Sequence, residues 1–403
     1  MKASIPAARL TKAGRRVLQM RRAADIVPWS RMALLEVRDN GSLRLSVVNA
    51  DGGAREVMKC SKVTTPGVVA VNVDLLDKLF TVTPLDGDVS VELQGTTLVV
   101  SSGRVRQRVP TVDASNFSWP AEKPESWFEV DDSRLQVVLK SVLWATSEDV
   151  GRIQSNAVHM TSSASEATNG HVMAQARPGL VPDGVKILVP AEAWTRVKTF
   201  VDGRVLGKLS MAVEPGRFWL RGESWIMFQR LLPEMNYYDL SRMAYEPDDD
   251  GNHYFLFQGR EQAIRVHSIS VNRDEVLTSC RHILSGAVTK DEKSTGAAVR
   301  IVVEDDGVMH MTSYYPADMT SRGIDVDEVV RWSALSVSDD DLSPFAYLSG
   351  FCFYSLYMVR ALAAMSGDIV KMMWAEGSEG VPVPSLQFHG DDGAVALVSP
   401  RRL

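Results

Sequence analysis

The sequence contains one glycine-rich stretch of the kind that could bind a phosphate group. It is Gly203–Leu209, in which a lysine follows the second glycine. A phosphate-binding loop needs four residues between its glycines, and a serine or threonine after the lysine to coordinate the metal ion. This stretch has three residues between the glycines and Leu209 after the lysine. We therefore interpret it as a hairpin between two strands.

Clusters of aspartate could support a second chemistry, the two-metal hydrolysis of phosphodiesters. Four such clusters occur along the chain, at Asp248–Asp250, Asp305-Asp306, Asp339–Asp341 and Asp391-Asp392. All of them lie in polar stretches near predicted turns or boundaries. This position favours solvated loop acids over a metal centre.

The cysteines and histidines form no recognisable ligand set. Cys60, Cys280 and Cys352 are far apart and do not have the C-x-x-C spacing of a zinc site or a redox pair. The histidines are scattered, and neither a serine-hydrolase nor a metalloprotease motif is present. The odd number of cysteines argues against a disulfide framework and favours buried thiols in a reducing cytoplasm. We expect no enzyme activity, no cofactor, no bound metal and a cytoplasmic location.

One pattern of elements occurs three times: a helix, a short break with glycine and aspartate, and then two strands. The apolar spacing predicts these three helices at Val73–Phe80, Ala191–Val201 and Ser355–Met365. A chain of 403 residues is too long for a single core. The pattern predicts an α+β fold with three tandem similar domains. Boundaries at the proline-rich Pro120–Pro124 and the charged Pro247–Asn252 give domains 1–124, 125–250 and 251–403.

Each repeat is also predicted to hold an earlier helix with one apolar face. These helices lie within residues 8–24, after the capping residues Asp131–Ser133, and around Val276–Leu284. A single basic amphipathic helix is usually just solvated, but basic side chains recur on the polar side in all three repeats. This recurrence favours a shared basic surface, with Lys12, Arg15, Arg16, Arg21, Arg22, Lys78, Arg134, Lys140, Arg196, Lys198, Arg273 and Arg281.

Charge is unevenly distributed along the chain. The net charge is −6, yet residues 1–24 hold seven basic side chains and no acidic one. An organelle transit peptide has such a composition, but serine is scarce here and Leu10, Ala13, Val17 and Leu18 form an apolar stripe, which favours a packed domain helix. An acidic protein with confined basic helices accepts nucleic acid at one place only. No apolar run approaches the ~18 residues of a membrane span, so we expect no membrane segment.

Short segments in a fixed order extend over the whole chain: Ser102–Arg106, Pro110-Thr111, Asn116-Phe117, Ala167–His171, Leu232–Glu234 and Ser399–Leu403. Together with the three repeats, they resemble the bacterial DNA polymerase III sliding clamp, the beta subunit. Ala167–His171 is similar to that family's alanine–threonine–aspartate–glycine–histidine segment, with Asn169 in place of the aspartate. Leu232–Glu234 resembles its phenylalanine–proline–aspartate turn, and Ser399–Leu403 resembles its methionine–proline–methionine–arginine–leucine terminus.

This resemblance implies a DNA-clamp fold, in which two amphipathic helices per domain line a channel and the β-sheets lie outside. It implies a non-catalytic processivity factor, with two chains forming a head-to-tail homodimeric ring around double-stranded DNA. The basic residues named above would then meet phosphates without reading bases. DNA polymerase and the clamp loader would bind through short linear peptides in a cleft between the second and third domains.

The resemblance assigns the peptide cleft to two separated segments and their neighbours: Gln154, Thr168, Gly170, His171, Val172, Met173, Leu397, Val398, Ser399, Pro400, Arg401, Arg402 and Leu403. Val172 stands where the family has arginine, and Ser399 and Arg401 stand where it has methionines. Methionine-rich clefts repack around different peptides, so these changes predict an altered preference, with Arg401 favouring an acidic peptide.

The dimer interface also departs from the family. Gln107 replaces a phenylalanine whose expected partners, Ile283 and Leu284, are retained. This change predicts a ring closure that is weaker or rebuilt.

Two other functions stay open. A clamp-fold binding module or decoy would bind clamp-directed peptides or inhibitors without encircling DNA, although the basic helices argue against it. A metal-dependent nuclease built on the aspartate clusters is the third, and DNA cleavage that requires a divalent ion would identify it. A solution mass of twice the 44.4 kDa chain would separate a ring from a module.

Overall fold

The computed structural model describes residues 1–21, 28–82, 85–120, 124–149, 151–202, 207–233, 237, 240, 243–247, 252–257, 260–286, 297–304, 307–314, 326–333, 351–375 and 385–402. Of the residues predicted to be functional, Arg22 and Leu403 lie outside these ranges. Three of the four aspartate clusters also lie outside them, and only Asp391-Asp392 is described.

Six α-helices occur in the described residues, two in each third of the chain. They are α1 (Ala7–Leu18), α2 (Val73–Val82), α3 (Asp132–Ser141), α4 (Ala191–Val201), α5 (Arg273–Ser285) and α6 (Ser355–Ala364). The sequence predicts all six, and the structure confirms them. At the start of α3, the Asp131 carboxylate accepts the backbone N–H of Arg134 at 2.8 Å. The side chain of Asn272 caps α5 in the same way.

The first sheet has thirteen strands from the first and middle thirds of the chain. They are β1 (Lys2–Pro6), β2 (Met32–Arg38), β3 (Ser42–Val48), β4 (Gly52–Lys59), β5 (Lys62–Thr65), β6 (Gly67–Asn72), β7 (Asp88–Gln94), β8 (Thr97–Ser102), β9 (Val105–Val112), β10 (Phe128–Val130), β15 (Leu209–Glu214), β16 (Arg217–Arg221) and β17 (Trp225–Arg230).

The second sheet contains strands of the middle and last thirds. They are β11 (Ala157–Met160), β12 (Ser165–Thr168), β13 (Val172–Ala176), β14 (Ile187–Pro190), β18 (Asn252–Phe257), β19 (Arg260–Asn272), β20 (Ala298–Val303), β21 (Val308–Tyr314), β22 (Asp327–Ser333), β23 (Phe351–Tyr354), β24 (Ile369–Ala375), β25 (Leu386–His389), β26 (Ala394–Val398) and β27 (Arg401–Arg402).

The two sheets repeat one arrangement. The first has the order β10-β15-β16-β17, then β4-β3-β2-β6, then β9-β8-β7-β1-β5. The second has the order β14-β11-β12-β13, then β26-β25-β24-β19, then β22-β21-β20-β23-β27, with β18 paired to β19 off this path. In each sheet a middle-third strand joins a terminal-third strand through an antiparallel ladder, β17 with β4 and β13 with β26. The α+β class predicted from the sequence is confirmed.

Large buried aromatic rings hold α4 against one face of the first sheet. Trp194 packs on Phe218 with ring centroids 6.3 Å apart, and Phe200 packs on Trp225 at 5.2 Å. Trp194, Phe200 and Phe218 are fully buried. Because side chains alternate along a strand, Trp219 and Phe228 lie on the opposite face of the same sheet.

The turn before β4 is made by Asn49, whose side chain accepts the N–H groups of Asp51 and Gly52, and β4 begins at Gly52. Of the stretch Gly203–Leu209, which the sequence predicts to be a hairpin between strands, residues 203–206 lie outside the described ranges, and Leu209 begins β15.

The compact units of the chain divide its middle third. One unit holds Met1–Arg134 and Val189–Pro233, and the other holds Leu135–Leu188 and Glu234–Leu403. The reason is visible in the sheets, since β10 and β15–β17 join one sheet and β11–β14 join the other. The domains 1–124, 125–250 and 251–403 stay a prediction about sequence repeats.

All three cysteines are buried free thiols, as the sequence predicts. Burial raises the pKa values of the Cys60 and Cys280 thiols, so the reactive thiolate form is disfavoured. In the described part of the chain, no helix is long and apolar enough to cross a membrane.

Candidate functional site

The polar side of α1 forms a basic surface. Lys12 and Arg15 are exposed, since the apolar residues of this helix take its buried face. With Arg16 and the turn at Asp86-Gly87, they line a surface groove of about 680 Å³. Arg15 also donates to the carbonyl of Phe80 at 3.2 Å, which ties α1 to α2. The predicted division of α1 into an apolar and a basic face is thus present in the structure.

Two of the predicted basic residues are engaged by carboxylates. Arg21 forms an ion pair with Asp77 of α2 and has a second carboxylate, that of Asp74, at 3.9 Å. Arg196 differs from its prediction as an exposed residue of α4, because its side chain is only 10% exposed. Its guanidinium is held by Glu192 and by Asp51 at 3.6 Å. These pairs reduce the positive field that either arginine presents to solvent.

Two other basic residues meet at the end of a helix. Lys140 and Arg273 both donate to the carbonyl of Met365, at 2.9 and 3.1 Å. Met365 is the C-cap of α6, where unpaired carbonyls and the helix dipole attract cations. These contacts give Lys140 and Arg273 a structural role.

Among the remaining predicted residues, Lys78, Lys198 and Arg281 are exposed, and Arg134 is half-buried.

In the part of the chain that the structure describes, the strand that carries Gln107 is paired on one side only along most of its length. Strand β9 pairs with β8 over Val105–Pro110 but with β6 only at Thr111 and Val112. Gln107 is exposed on this stretch. Of its expected partners, Ile283 is fully buried inside its own unit and only Leu284 is half-exposed. The prediction that both form an interface surface is therefore wrong for Ile283.

A tight turn connects the first of the two predicted cleft segments to its strand. Gly170 has φ +90°, a conformation that favours glycine. The Thr168 hydroxyl donates to the carbonyl of Val172 at 2.7 Å and accepts the N–H of Gly170 at 3.1 Å. Asn169 Oδ1 accepts the N–H groups of His171 and Val172. An amide oxygen here makes the bonds that a carboxylate would make, which explains why Asn169 can replace the family's aspartate.

The structure brings the two predicted cleft segments together. Strands β13 and β26 pair so that Val172 lies opposite Val398 and Met173 lies opposite Leu397. Beyond the ladder, the N–H of Ser399 donates to the carbonyl of His171 at 2.9 Å. Segments more than 220 residues apart in the sequence are therefore adjacent in the fold.

An apolar cluster lies on one face of this junction. Met173, Leu397 and Leu240 pack together, and the half-buried Tyr237 packs against them. Tyr237 also lies against His159, with ring centroids 4.5 Å apart. Tyr237 and Leu240 are site residues that the sequence reasoning missed. The only available signal was an aromatic and an aliphatic side chain just after the Leu232–Glu234 turn.

The side chain of Val172 does not join this cluster. It is consecutive with Met173 in β13, so the two side chains point to opposite faces of the sheet, and Val172 is only 2% exposed. The prediction that Val172 lines the cleft as the family's arginine does is therefore wrong.

The remaining predicted cleft residues surround the junction. His171 is exposed and stacks on Tyr357 of α6 at 6.4 Å between ring centroids. Gln154 is half-buried in the turn before β11, and Ser399 and Pro400 are half-buried. Arg401 and Arg402 form β27, which pairs with Cys352 and Phe351 of β23.

Further along the chain, Met243 and Tyr245 are bound to the second sheet through Gln387. The side chain of Gln387 accepts the N–H of Tyr245 at 2.9 Å and donates to the carbonyl of Met243 at 2.7 Å. Nearby, burial lowers the pKa of His389 to about 4, with further effects of Lys371 and Arg177. His389 is therefore neutral near pH 7 and adds no charge to this face.

Within the described ranges, no group of three or more His, Cys, Asp or Glu side chains could hold a metal ion.

Comparison with known proteins gives matches in structure only. No protein-family model matches the sequence, and no curated protein matches it. The DNA polymerase III beta subunit of Thermotoga maritima has a TM-score of 0.76 at 19% identity, covering 100% of this chain and 99% of that one. The Bacillus subtilis sliding clamp has 0.77 at 16%, covering 100% and 99%. The Pseudomonas aeruginosa sliding clamp bound to griselimycin has 0.78 at 16%, covering 100% of both chains.

These matches extend over the whole chain, as the resemblance seen in the sequence does. The low identity agrees with the departures at Gln107, Val172, Ser399 and Arg401. The chain has the fold of the bacterial DNA polymerase III beta sliding clamps.

Proposed function

We propose that this chain is a divergent DNA sliding clamp, which encircles duplex DNA as a homodimeric ring and tethers DNA polymerase and other partners. The observation that carries the proposal is the end-to-end match to clamp structures, together with sheets that repeat one arrangement and leave one matching strand in each sheet open for pairing. The clamp acts without catalysis, by holding its partners on DNA.

The repeat pattern supports one particular way of closing the ring. Inside the chain, each junction between thirds pairs the end strand of a middle-third group with the end strand of a terminal-third group, β17 with β4 and β13 with β26. The remaining five-stranded groups begin at β9 in the first sheet and at β22 in the second. Among the described residues, β22 is also paired on one side over most of its length, with β21 over Asp327–Arg331 and with β19 only at Trp332 and Ser333. Pairing β9 of one copy with β22 of another completes the pattern and removes both free edges.

The charges of these two strands are complementary. Arg106 and Arg108 are exposed on β9, and Asp327 is exposed on β22 with Glu328 beside it. Val329 of β22 is 60% exposed, so the pairing would also cover an apolar side chain. This charge pattern compensates for the loss of the family's phenylalanine at Gln107.

We expect light scattering at micromolar concentration to give about twice the 44.4 kDa chain mass. The double variant Arg106→Glu with Arg108→Glu should give monomers, because it places like charges opposite Asp327. Adding Asp327→Arg should restore part of the dimer.

The matched control is Arg104→Glu, in the turn before β9, which should leave the dimer intact. A strict monomer for the natural chain, or a dimer that is unaffected by the double variant, would contradict this interface.

DNA contact is assigned to the exposed basic residues of the helices, chiefly Lys12, Arg15, Lys78, Lys198 and Arg281. Each makes a single solvent-exposed phosphate contact, so binding to open DNA should be weak and should fall steeply with salt. Retention after loading would instead be topological, since a closed ring leaves circular DNA only by opening.

Partner peptides are assigned to the junction of β13 and β26. The apolar cluster of Met173, Leu397 and Leu240, against which Tyr237 packs, is the proposed pocket for an apolar side chain of the peptide. These three residues are only 1%, 3% and 5% exposed. A partner side chain would therefore enter by displacing Tyr237, and this rearrangement lowers the apparent affinity.

One observation favours the alternative of a binding module that does not encircle DNA. Arg21, Arg196, Lys140 and Arg273, all expected to face DNA, are engaged inside the chain. A monomer that still binds clamp-directed peptides would support this alternative.

A further inference from the structure

The connector between the first and middle thirds joins β9 to β10, and its residues 113–120 and 124–127 are described. Its aromatic residues lie on the sheet face opposite to α1 and α4. Gln229 contacts Met20, which lies two residues beyond the end of α1. Phe228, the neighbour of Gln229, therefore points to the other face. There, Phe117, Trp119 and Trp127 of the connector pack on a cluster that contains Trp219 and Phe228. The Trp119 ring meets Phe228 edge-on, with centroids 5.3 Å apart.

A groove of about 540 Å³ lies beside this connector, lined by Trp119, Trp127, Arg44, Arg55 and Arg221 among others. The Arg55 guanidinium is 4.0 Å from the Trp119 ring centroid, and the Arg221 guanidinium is 4.0 Å from that of Trp127. Stacking on the indole rings holds both planar guanidinium groups in a fixed orientation.

Arg55 forms no ion pair among the described residues, although the Glu36 carboxylate attracts its charge from a greater distance. Its Nε donates to the Ser46 hydroxyl at 3.0 Å, and no carboxylate among the described residues lies within 4 Å of it. Burial, and then repulsion by Arg44, lowers the pKa of Arg55 to about 10. Arg55 is still protonated at pH 7, and an incoming carboxylate would stabilise its charge.

The location of this groove is equivalent to that of the apolar cluster in the other unit. Described residues of a connector pack near the junction of a middle-third strand with a terminal-third strand in both units, Trp119 near β17 and β4 here, and Tyr237 near β13 and β26 there. The groove is lined by three arginines, Arg44, Arg55 and Arg221, and by one acidic residue, Glu223. Its lining is therefore predominantly basic.

We propose that the groove beside Trp119 and Trp127 is a second peptide-binding site, which takes an acidic linear segment of a partner protein. Carboxylates of the segment bind the Arg55 and Arg221 guanidinium groups, whereas Arg44 in the same lining is already paired with Glu36 at 2.9 Å. A nucleic acid fits less well, because the indole faces on which bases would stack are already covered by arginine and by the sheet.

The test uses a fluorescein-labelled peptide, Gly-Asp-Glu-Tyr-Glu-Asp-Gly, and its counterpart with Asn and Gln in place of the acids, in fluorescence anisotropy with the full chain. The acidic peptide should bind and its amide counterpart should not. Arg221→Gln should weaken binding about tenfold, as expected for loss of a charge-assisted hydrogen bond.

Arg221 is exposed, so its replacement should not affect folding. Arg55→Lys is the second variant, since it keeps the charge but loses the planar stacking, and it too should weaken binding. Arg104→Gln removes an equally exposed charge elsewhere and should leave binding unchanged. A typical clamp-binding peptide should not compete, which keeps this result independent of the proposed cleft at Met173.

Three results would overturn the proposal. The first is a loss of peptide binding with Arg104→Gln equal to that with Arg221→Gln, which would indicate general charge attraction, and the second is unchanged peptide binding with Arg221→Gln. The third is tighter binding of oligo-dT that the acidic peptide cannot displace, which would indicate a nucleic-acid site.

Discussion

A chain that lacks Pro400–Leu403 is expected to fold and to lose binding of clamp-directed peptides by tenfold or more. The removed residues follow Ser399, whose N–H bonds to His171 at the junction of β13 and β26, and they include the short strand β27. Loss of one or two apolar contacts of a bound peptide costs ~1.5–3 kcal/mol each, and each ~1.4 kcal/mol is a tenfold change in affinity. Stimulation of the cognate polymerase in primer extension should disappear, while dimer mass stays unchanged.

Two neighbouring residues provide the control for this prediction. Met173 lies in the apolar cluster, whereas Val172 points to the opposite face. Met173→Ala should weaken peptide binding, and Val172→Ala should lower stability but leave the affinity unchanged. If the truncation leaves the affinity within threefold of the natural chain, or if Val172→Ala weakens binding as much as Met173→Ala, the site has been placed wrongly.

Replacement of Gly14 by valine is expected to destabilise the chain strongly. A β-carbon at Gly14 would lie 2.3–3.0 Å from ring atoms of Phe80, and Phe80 is only 2% exposed, so its ring has no room to move away. Overpacking of this kind costs about 1–3 kcal/mol. The melting temperature should fall by about 2–4 °C for each kcal/mol lost, and salt-dependent DNA binding should weaken because α1 is displaced from α2.

Ala8→Val is the matched control, since it introduces the same side chain at an exposed position of the same helix. It should cost only the difference in helix propensity, up to about 0.7 kcal/mol. Equal melting temperatures for the two variants would show that α1 and α2 do not pack closely at Gly14.

The sequence predicts the helices well because an amphipathic helix is a local pattern. Apolar spacing alone places α1 to α6 within a few residues of their observed bounds. Gly14 shows the limit of local reasoning. Glycine is a weak helix former, but the Phe80 ring, 66 residues away in the sequence, leaves no room for a β-carbon at this position.

Side-chain environment depends on partners that the sequence does not reveal. Arg196 has the spacing of an exposed helix residue, but Glu192, Asp51 and Gln229 hold its guanidinium against the first sheet. Val172 and Met173 are equally apolar, and only the register of β13 against β26 decides which of them faces the cluster. Tyr237 and Leu240 lie in a connector without periodicity, so no pattern marked them as site residues.

Retention on circular DNA tests the central claim most directly. The protein is loaded onto nicked circular plasmid by a clamp loader, the complex is washed at moderate salt, and half of the sample is then linearised with a restriction enzyme. Encirclement predicts that the protein stays on the circle and runs off the linear DNA. Equal retention on both forms, or loss from both at the salt wash, would contradict it.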